Sequence, residues 1–379
     1  MEDIRLTKKQ EEGLRLAIQR FKNHEKYTCI AGYAGTGKST LVQYIIKELN
    51  IPENQIAYIA YTGKAALVLK SKGCPGAMTA HELTYHTTQN PDLTYTHTPR
   101  KAPENPDLKL VIVDEISMLE KEQWNILMRW NIHIICLGDN FQLPPINEDN
   151  GILAHPHIFL DEIVRQAQDN EIVRLSMDIR EGKPLKYFKG KDVRIVPKES
   201  ITDKLLVTAD MVLCGKNATR YFLNKRMRKT IWGEQYVDEP IDGDKCICLK
   251  NYWNYGDLTN GTIGKISCIR KEKDDPFLNP KFIADFDTEE DWFPQLSMDY
   301  KIFTEGKPTV TQENWMNYPK QIRPMEFDYA YAITIHKAQG SEFPKVVIQN
   351  EYFGKDKEQY LRWLYTGVTR ASEKLVIAI

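Results

Sequence analysis

The chain has 379 residues, 42% apolar and 27% charged, a balance that fits a globular protein with a sizeable buried core and excludes a disordered or fibrous chain. Lys and Arg number 51 against 52 Asp and Glu, a net charge of −1, so bulk charge cannot hold a nucleic acid and any phosphate-binding surface must be a local groove. The seven cysteines (29, 74, 136, 214, 246, 248 and 268) are odd in number with no C-x-x-C pair, no signal-peptide h-region opens the chain, and no apolar run is long enough to span a bilayer. The expectation is an intracellular (cytoplasmic) protein with reduced thiols and no membrane partner.

In chain order, residues 7–22 predict an amphipathic helix with Leu14, Ile18 and Phe21 on one face. Strands are expected at 28–31, 56–61, 110–113 and 132–137. Each is a short apolar or β-branched run, as in a parallel sheet covered on both faces. Residues 88–107 break this pattern: Tyr95, Pro91, Pro99, Pro103 and Pro106 lie among threonines and polar residues, which predicts an excursion from the sheet in the form of a hairpin. A second α/β block starts after Gly182-Lys183-Pro184, with a strand at 210–214 and a helix near 217–230. Residues 236–323 are rich in Tyr, Trp, Asp, Asn, Gly and Pro, and Asn260-Gly261 followed by Gly264 is a hairpin signal, so a small inserted β-domain is expected there. Cys246 and Cys248 fall on one face of a strand in that region, without partner ligands at zinc-site spacing. The α/β pattern returns at 331–335, 346–348 and 375–379.

Three stretches carry chemistry. Residues 32–40, GYAGTGKST, follow an apolar strand and precede a helical run, the context a phosphate-binding loop requires. Gly32, Gly35 and Gly37 let backbone amides approach phosphate oxygens, with Ala34, Thr36 and Thr40 in the same loop. Lys38 would reach the β- and γ-phosphates of a nucleoside triphosphate, and Ser39 would bind Mg²⁺. Next, the strand 110–113 ends in Asp114-Glu115: Asp114 would hold the Mg²⁺ and Glu115 would polarise the attacking water. Finally, GDNFQLPP at 138–145 follows another apolar strand and presents Gln142 to orient water or contact the γ-phosphate.

The ordered series of GYAGTGKST, AYTGKAA (60–66), TAHEL (79–83), VIVDEIS (111–117), GDNFQLPP, TIHKAQGSEF (334–343) and YTGVTRA (365–371) resembles a superfamily 1 helicase of the RecD-like, Dda-like branch. The resemblance covers almost the whole chain and implies an α/β fold of two RecA-like P-loop NTPase cores. A short inserted hairpin or loop would lie in the first and an SH3-like β-domain in the second. The implied domains are 1–182 with a pin-like segment at 84–107, then 183–235 with 324–379, and the insert 236–323. The chain starts almost at the first motif, like the compact Dda-like form.

By position, the resemblance implies that Gln10 in Leu6-Thr7-Lys8-Lys9-Gln10 reads the adenine. Arg165 and Arg370 would approach the γ-phosphate from the second core, and Gly340 would bring backbone near the phosphates. Thr62, Lys64, Thr79, His81, Thr334 and His336 would contact a nucleic-acid strand. Phe141 is a candidate stacking face, with Tyr61, Tyr85 and Tyr95 as others. Asn260 and Gly261 match the strand-clamping hairpin of the SH3-like domain, whereas Trp253 and Trp292 are expected in its core. The implied activity is an ATP-dependent DNA helicase moving 5′ to 3′ on single-stranded DNA and at ss/ds junctions, with protein partners in replication or recombination. One chain holds both halves of the ATP site, so a monomer suffices. The alternatives are an RNA helicase of the same superfamily, and a P-loop ATPase that remodels or loads a protein partner without unwinding.

Overall fold

The computed structural model describes residues 6–71, 73–90, 95–144, 151–164, 169–252, 255, 258–271, 281–289, 291–311, 323–352 and 356–379. The strands before residue 161 are β1 (Tyr27–Gly32), β2 (Ile56–Ala60), β3 (Met78–Thr79), β4 (Tyr85–Gln89), β5 (Tyr95–Pro99), β6 (Leu110–Val113), β7 (His133–Gly138) and β8 (Ile158–Leu160). Six of them form one parallel sheet in the order β3-β2-β6-β7-β1-β8. β2, β6 and β7 are buried at every position, which is why they read as unbroken apolar runs rather than alternating ones. The order places the carboxyl ends of β1, β7 and β6 side by side. The loops leaving those ends carry the phosphate-loop glycines, Gln142 and the Asp114-Glu115 pair, where open parallel sheets bind ligands. The helix Lys8–Lys22 is started by a capping box: Gln10 N–H donates to Thr7 Oγ1, and Thr7 N–H donates to Gln10 Oε1.

The excursion is an antiparallel ribbon of β4 and β5, with Tyr85 opposite Pro99 and Gln89 opposite Tyr95. Only the backbone of Tyr95 is described, and the connecting residues 91–94 lie outside the described residues. Arg100 ties the base of the ribbon, its Nε donating to the Tyr85 carbonyl at 3.1 Å.

The later strands are β9 (Phe188–Lys189), β10 (Val193–Val196), β11 (Met211–Cys214), β12 (Lys245–Cys248), β13 (Ile263–Lys271), β14 (Lys281–Asp287), β15 (Trp292–Asp299), β16 (Phe327–Tyr329), β17 (Ala332–Thr334), β18 (Phe343–Gln349) and β19 (Ala371–Ala378). The second α/β sheet runs β17-β11-β18-β19-β10-β9, parallel except for β9. A five-stranded antiparallel sheet, β15-β14-β13-β12-β16, is inserted into it. One apolar cluster is shared between them: Val212, Cys214, Leu223 and Met227 of the second core pack with Phe282, Phe286 and Phe327 of the inserted sheet.

Four expectations need correction. The helix Glu171–Arg180 packs with the second core, because its apolar face buries Ile172 and Ile179 against Val193, Ile195 and Trp363; the boundary at 182 comes too late. β16 was expected in the second α/β unit. It pairs with β12 in the inserted sheet, since Phe327 and Tyr329 find their apolar neighbours there, so the boundary at 323 is early. Asn260-Gly261 does not form a two-residue hairpin: β12 and β13 are joined by 249–262, and Gly261 closes the end of that loop with its N–H on the Cys248 carbonyl. Trp292 is 61% exposed at the start of β15 rather than in a core, and Trp253 lies outside the described residues. Among the described residues no helix is long and apolar enough to cross a membrane.

Candidate active site and nucleic-acid interface

β1 delivers the chain into the phosphate loop, and the helix Lys38–Leu49 leaves it. Gly35 (φ 76°) and Gly37 (φ 73°) adopt the left-handed conformation that lets the loop curl. A Cβ on Gly32 would lie 2.8 Å from the Leu160 carbonyl oxygen, so that position admits no side chain. Gln10 is buried beneath the loop, its Nε2 donating to the Thr36 carbonyl at 3.0 Å. Gln10 thus braces the loop as well as capping its own helix. Lys38 Nζ donates to the carbonyls of Gly32 (2.6 Å) and Tyr33 (3.0 Å), which places its charge inside the loop's curl.

Glu115 follows β6 in the left-handed region (φ 52°, ψ 53°), a conformation that costs a non-glycine residue of order 1 kcal/mol or more and concentrates at functional sites. Its N–H donates to Asp114 Oδ1 at 3.0 Å. Gln142 reaches it from the loop after β7, with Nε2 donating to Glu115 Oε1 at 3.4 Å. Asp139, at the head of that loop, is buried, and burial pushes its carboxyl above the usual carboxylate range.

The second core faces these groups with Arg370. Arg370 is 5% exposed, and all its hydrogen bonds among the described residues go to neutral oxygens: Nε to Thr366 O (3.1 Å), Nη1 to Ser341 O (3.3 Å) and Nη2 to Thr369 Oγ1 (3.2 Å). A buried cation normally pairs with an anion, and the partners of this one among the described residues are neutral oxygens. Ser39, Asp114, Glu115, Gly340 and Arg370 line a single cavity of about 430 Å³. Arg165 lies outside the described residues. A further interlock was not expected from the sequence: the Arg180 guanidinium stacks over the Tyr33 ring of the phosphate loop at 3.6 Å.

A second cavity of about 930 Å³ runs between both cores and the inserted sheet. It is lined by Thr62, Thr79 and His81 from the first core, Thr334 and His336 from the second, and Asn260 and Gly261 from the insert. The threonines share one local construction. Each caps a helix: Thr62 Oγ1 accepts from Ala65 N–H (3.1 Å), Thr79 from Glu82 N–H (3.1 Å) and Thr334 from Lys337 N–H (3.4 Å). His81 stacks on Tyr85 and contacts His97 of the ribbon (Nε2 to Nδ1, 3.2 Å), and burial followed by the His97 charge lowers its pKa to about 4. Burial lowers the His336 pKa as well.

The sequence missed Lys216, Asn251, Lys337 and Gln339 in this cleft. Lys337 and Gln339 lie within TIHKAQG itself and could have been found there; Lys337 Nζ donates to Asn260 Oδ1 at 2.9 Å, joining the second core to the insert. The side chain of Lys64 is not among those described. Phe141 is a correction: its ring packs edge-on against Tyr365 at 5.2 Å with Arg362 above it, so it serves the contact between the cores and is not among the residues lining the cleft.

Residues 5–194 match the family model of the AAA domain, and residues 329–378 match that of the UvrD-like helicase C-terminal domain. The chain belongs to the AAA domain family. Its superfamily 1 helicase resemblance is borne out in the relatives of this AAA protein. The ATP-dependent RecD2 DNA helicase of Deinococcus radiodurans is 24% identical over 92% of the chain and 46% of its own length. The ATP-dependent DNA helicase dda of Enterobacteria phage T4 is 25% identical over 47% of the chain and 43% of its own length. The AAA chain thus aligns with less than half the length of either. The crystal structure of a Pif1 helicase from Bacteroides in complex with ADP-AlF3 and ssDNA has the same fold, with a TM-score of 0.55 and 19% identity over 100% of this chain and 93% of that one.

Proposed function

We propose that this chain is an ATP-dependent DNA helicase that moves 5′ to 3′ along single-stranded DNA and opens duplex at ss/ds junctions. The observation that carries this reading is the facing of Arg370 on Ser39, Asp114 and Glu115 across one cavity, with a strand-sized cleft next to it that the same two cores share. Tyr61, Thr62 and Met118 line both cavities, so the wall between the sites is one layer of residues.

The chemistry assigns each group a task. Lys38 exchanges the Gly32 and Tyr33 carbonyls for the β- and γ-phosphates of ATP, Gln142 orients the attacking water, and Glu115 accepts its proton. Arg370 neutralises the charge that develops on the transferred phosphoryl group. The Ser39 hydroxyl and the Asp114 carboxylate line the same cavity, a hard-oxygen pair that suits Mg²⁺. When bound, that ion would supply charge neutralisation at the phosphate oxygens.

On the strand side, the threonine hydroxyls and neutral imidazoles would take phosphate oxygens, with Asn260 and Gly261 closing over them as an SH3-like clamp. The β4–β5 ribbon would split the duplex, since His97 at its middle joins it to His81 in the cleft. Polarity follows from the resemblance to the RecD-like and Dda-like branch.

The test is unwinding of two short duplexes, one with a 5′ and one with a 3′ single-stranded tail, with ATP and Mg²⁺ and with Lys38→Ala as the inactive control. Opening of the 5′-tailed duplex alone is the expected result. Opening of the 3′-tailed duplex alone would reverse the polarity, and ATPase stimulated by single strands without opening would leave a translocase.

A further inference from the structure

The helix Lys357–Val368 belongs to the second core, yet one of its faces is hydrogen-bonded to the first. Arg362 Nη1 donates to the Asn140 carbonyl (2.9 Å), Tyr365 Oη donates to Asp139 Oδ2 (2.5 Å), and Leu143 N–H donates to Thr366 Oγ1 (2.9 Å). The Thr366 carbonyl in turn holds Arg370. The Tyr365 oxygen has a second partner: it accepts the Ala34 N–H, in the middle of the phosphate loop, at 2.9 Å. Tyr365 is 1% exposed, and Phe141 closes its ring in.

A backbone N–H in a phosphate loop can serve a phosphate oxygen or a protein acceptor. Here the acceptor comes from the other core, and its own proton is committed to a buried carboxylate. The phenol therefore cannot turn to another partner without leaving Ala34 or Asp139 unsatisfied in a water-poor site. The geometry points to Tyr365 as a positioning residue for ATP turnover: it ties Ala34 of the phosphate loop to Asp139 of the loop that carries Gln142, and so fixes where Arg370 stands against the phosphates. This inference rests on the ATPase reading above. Tyr365 acts through Arg370 and Gln142 and touches no reacting atom. If the ring only filled space, phenylalanine would serve as well, because it keeps the buried area and loses only the hydroxyl.

Tyr365→Phe tests this directly. The expected result is a fall of about tenfold or more in kcat for strand-stimulated ATP hydrolysis, with the KM for ATP within about threefold and oligonucleotide affinity unchanged. Asp139→Asn cuts the same chain of bonds, so the double variant should be no slower than the slower single one. If Tyr365→Phe fails to fold by circular dichroism, the same kcat-against-KM split in Asp139→Asn decides the matter. A kcat within about twofold of the parent, or a loss matched by an equal rise in KM, would overturn the proposal. With Lys38→Ala assayed alongside, a parent chain without Lys38-dependent hydrolysis would overturn the ATPase reading and this inference with it. A hydrolysing parent with an unaffected Tyr365→Phe variant would overturn this inference alone.

Discussion

The two α/β cores face the strand cleft with the same device and the nucleotide cavity with different ones. On the strand side, Thr79-Ala80-His81 follows β3 and Thr334-Ile335-His336 follows β17. In each a threonine caps a short helix and a half-buried histidine follows two residues later. On the nucleotide side the first core supplies a left-handed glycine loop, Lys38 and a strained Glu115, while the second supplies a guanidinium held on neutral oxygens. On the function proposed above, the likeness would let both cores hold one phosphate backbone in the same manner, so that a strand could pass from one to the other. On the same proposal, the unlikeness would leave either half of the nucleotide site incomplete by itself, so that hydrolysis would require the cores to meet.

The largest expected effect is on the unlike side. Arg370→Ala should lower strand-stimulated kcat by about 10³-fold, the range of an arginine that stabilises phosphoryl transfer, with ATP binding retained. A kcat within tenfold of the parent would mean that the second core adds no charge to the reaction, and the asymmetry would lose its meaning. Lys38→Ala should follow, with a loss of about 10²- to 10³-fold in steady-state hydrolysis and unchanged affinity for a labelled oligonucleotide.

The like side sets smaller effects. Thr79→Ala and Thr334→Ala each remove a helix cap, a cost of about 1 kcal/mol in stability measurable by urea unfolding. Both should weaken oligonucleotide binding by similar factors in fluorescence anisotropy. If only one does, the two cores do not share the strand equally. The smallest effect is the pH response of His81. Its folded pKa lies at about 4, below the ordinary 6.5, so between these values the unfolded chain binds a proton that the folded chain refuses. Stability from this group is full above about pH 6.5 and falls as pH drops towards 4. The urea midpoint should therefore decline between pH 7 and pH 5, and His81→Gln should make that decline shallower.

Much of this was legible in the sequence because local signals and tertiary placement agree. The phosphate loop, Asp114-Glu115 and the loop carrying Gln142 each follow a strand buried along all or nearly all of its length, and buried parallel strands announce themselves as apolar runs. What escaped depends on contacts distant in sequence. The pairing of β16 with β12 joins residues some eighty apart, so nothing local assigns Phe327–Tyr329 to the inserted sheet. Phe141 follows a core strand as a strand-binding aromatic would, but Tyr365 and Arg362, more than two hundred residues on, fix its ring between the cores. The Tyr365–Ala34 bond is of the same kind: YTGVTRA marks the tyrosine without naming its partner.

The run of chain from β16 to β17 has a mechanical consequence. Only Ala330 and Tyr331, both buried, separate a strand of the inserted sheet from a strand of the second core, and the two sheets share one apolar cluster. No slack is available for a separate joint there. If the second core rotates during the proposed cycle, this short, buried connection would carry the inserted sheet with it, and Asn260 and Gly261 would sweep an arc set by their distance from the pivot. The stride along a strand would then be fixed by the geometry of one rigid body, the same at every turnover whatever bases lie beneath it.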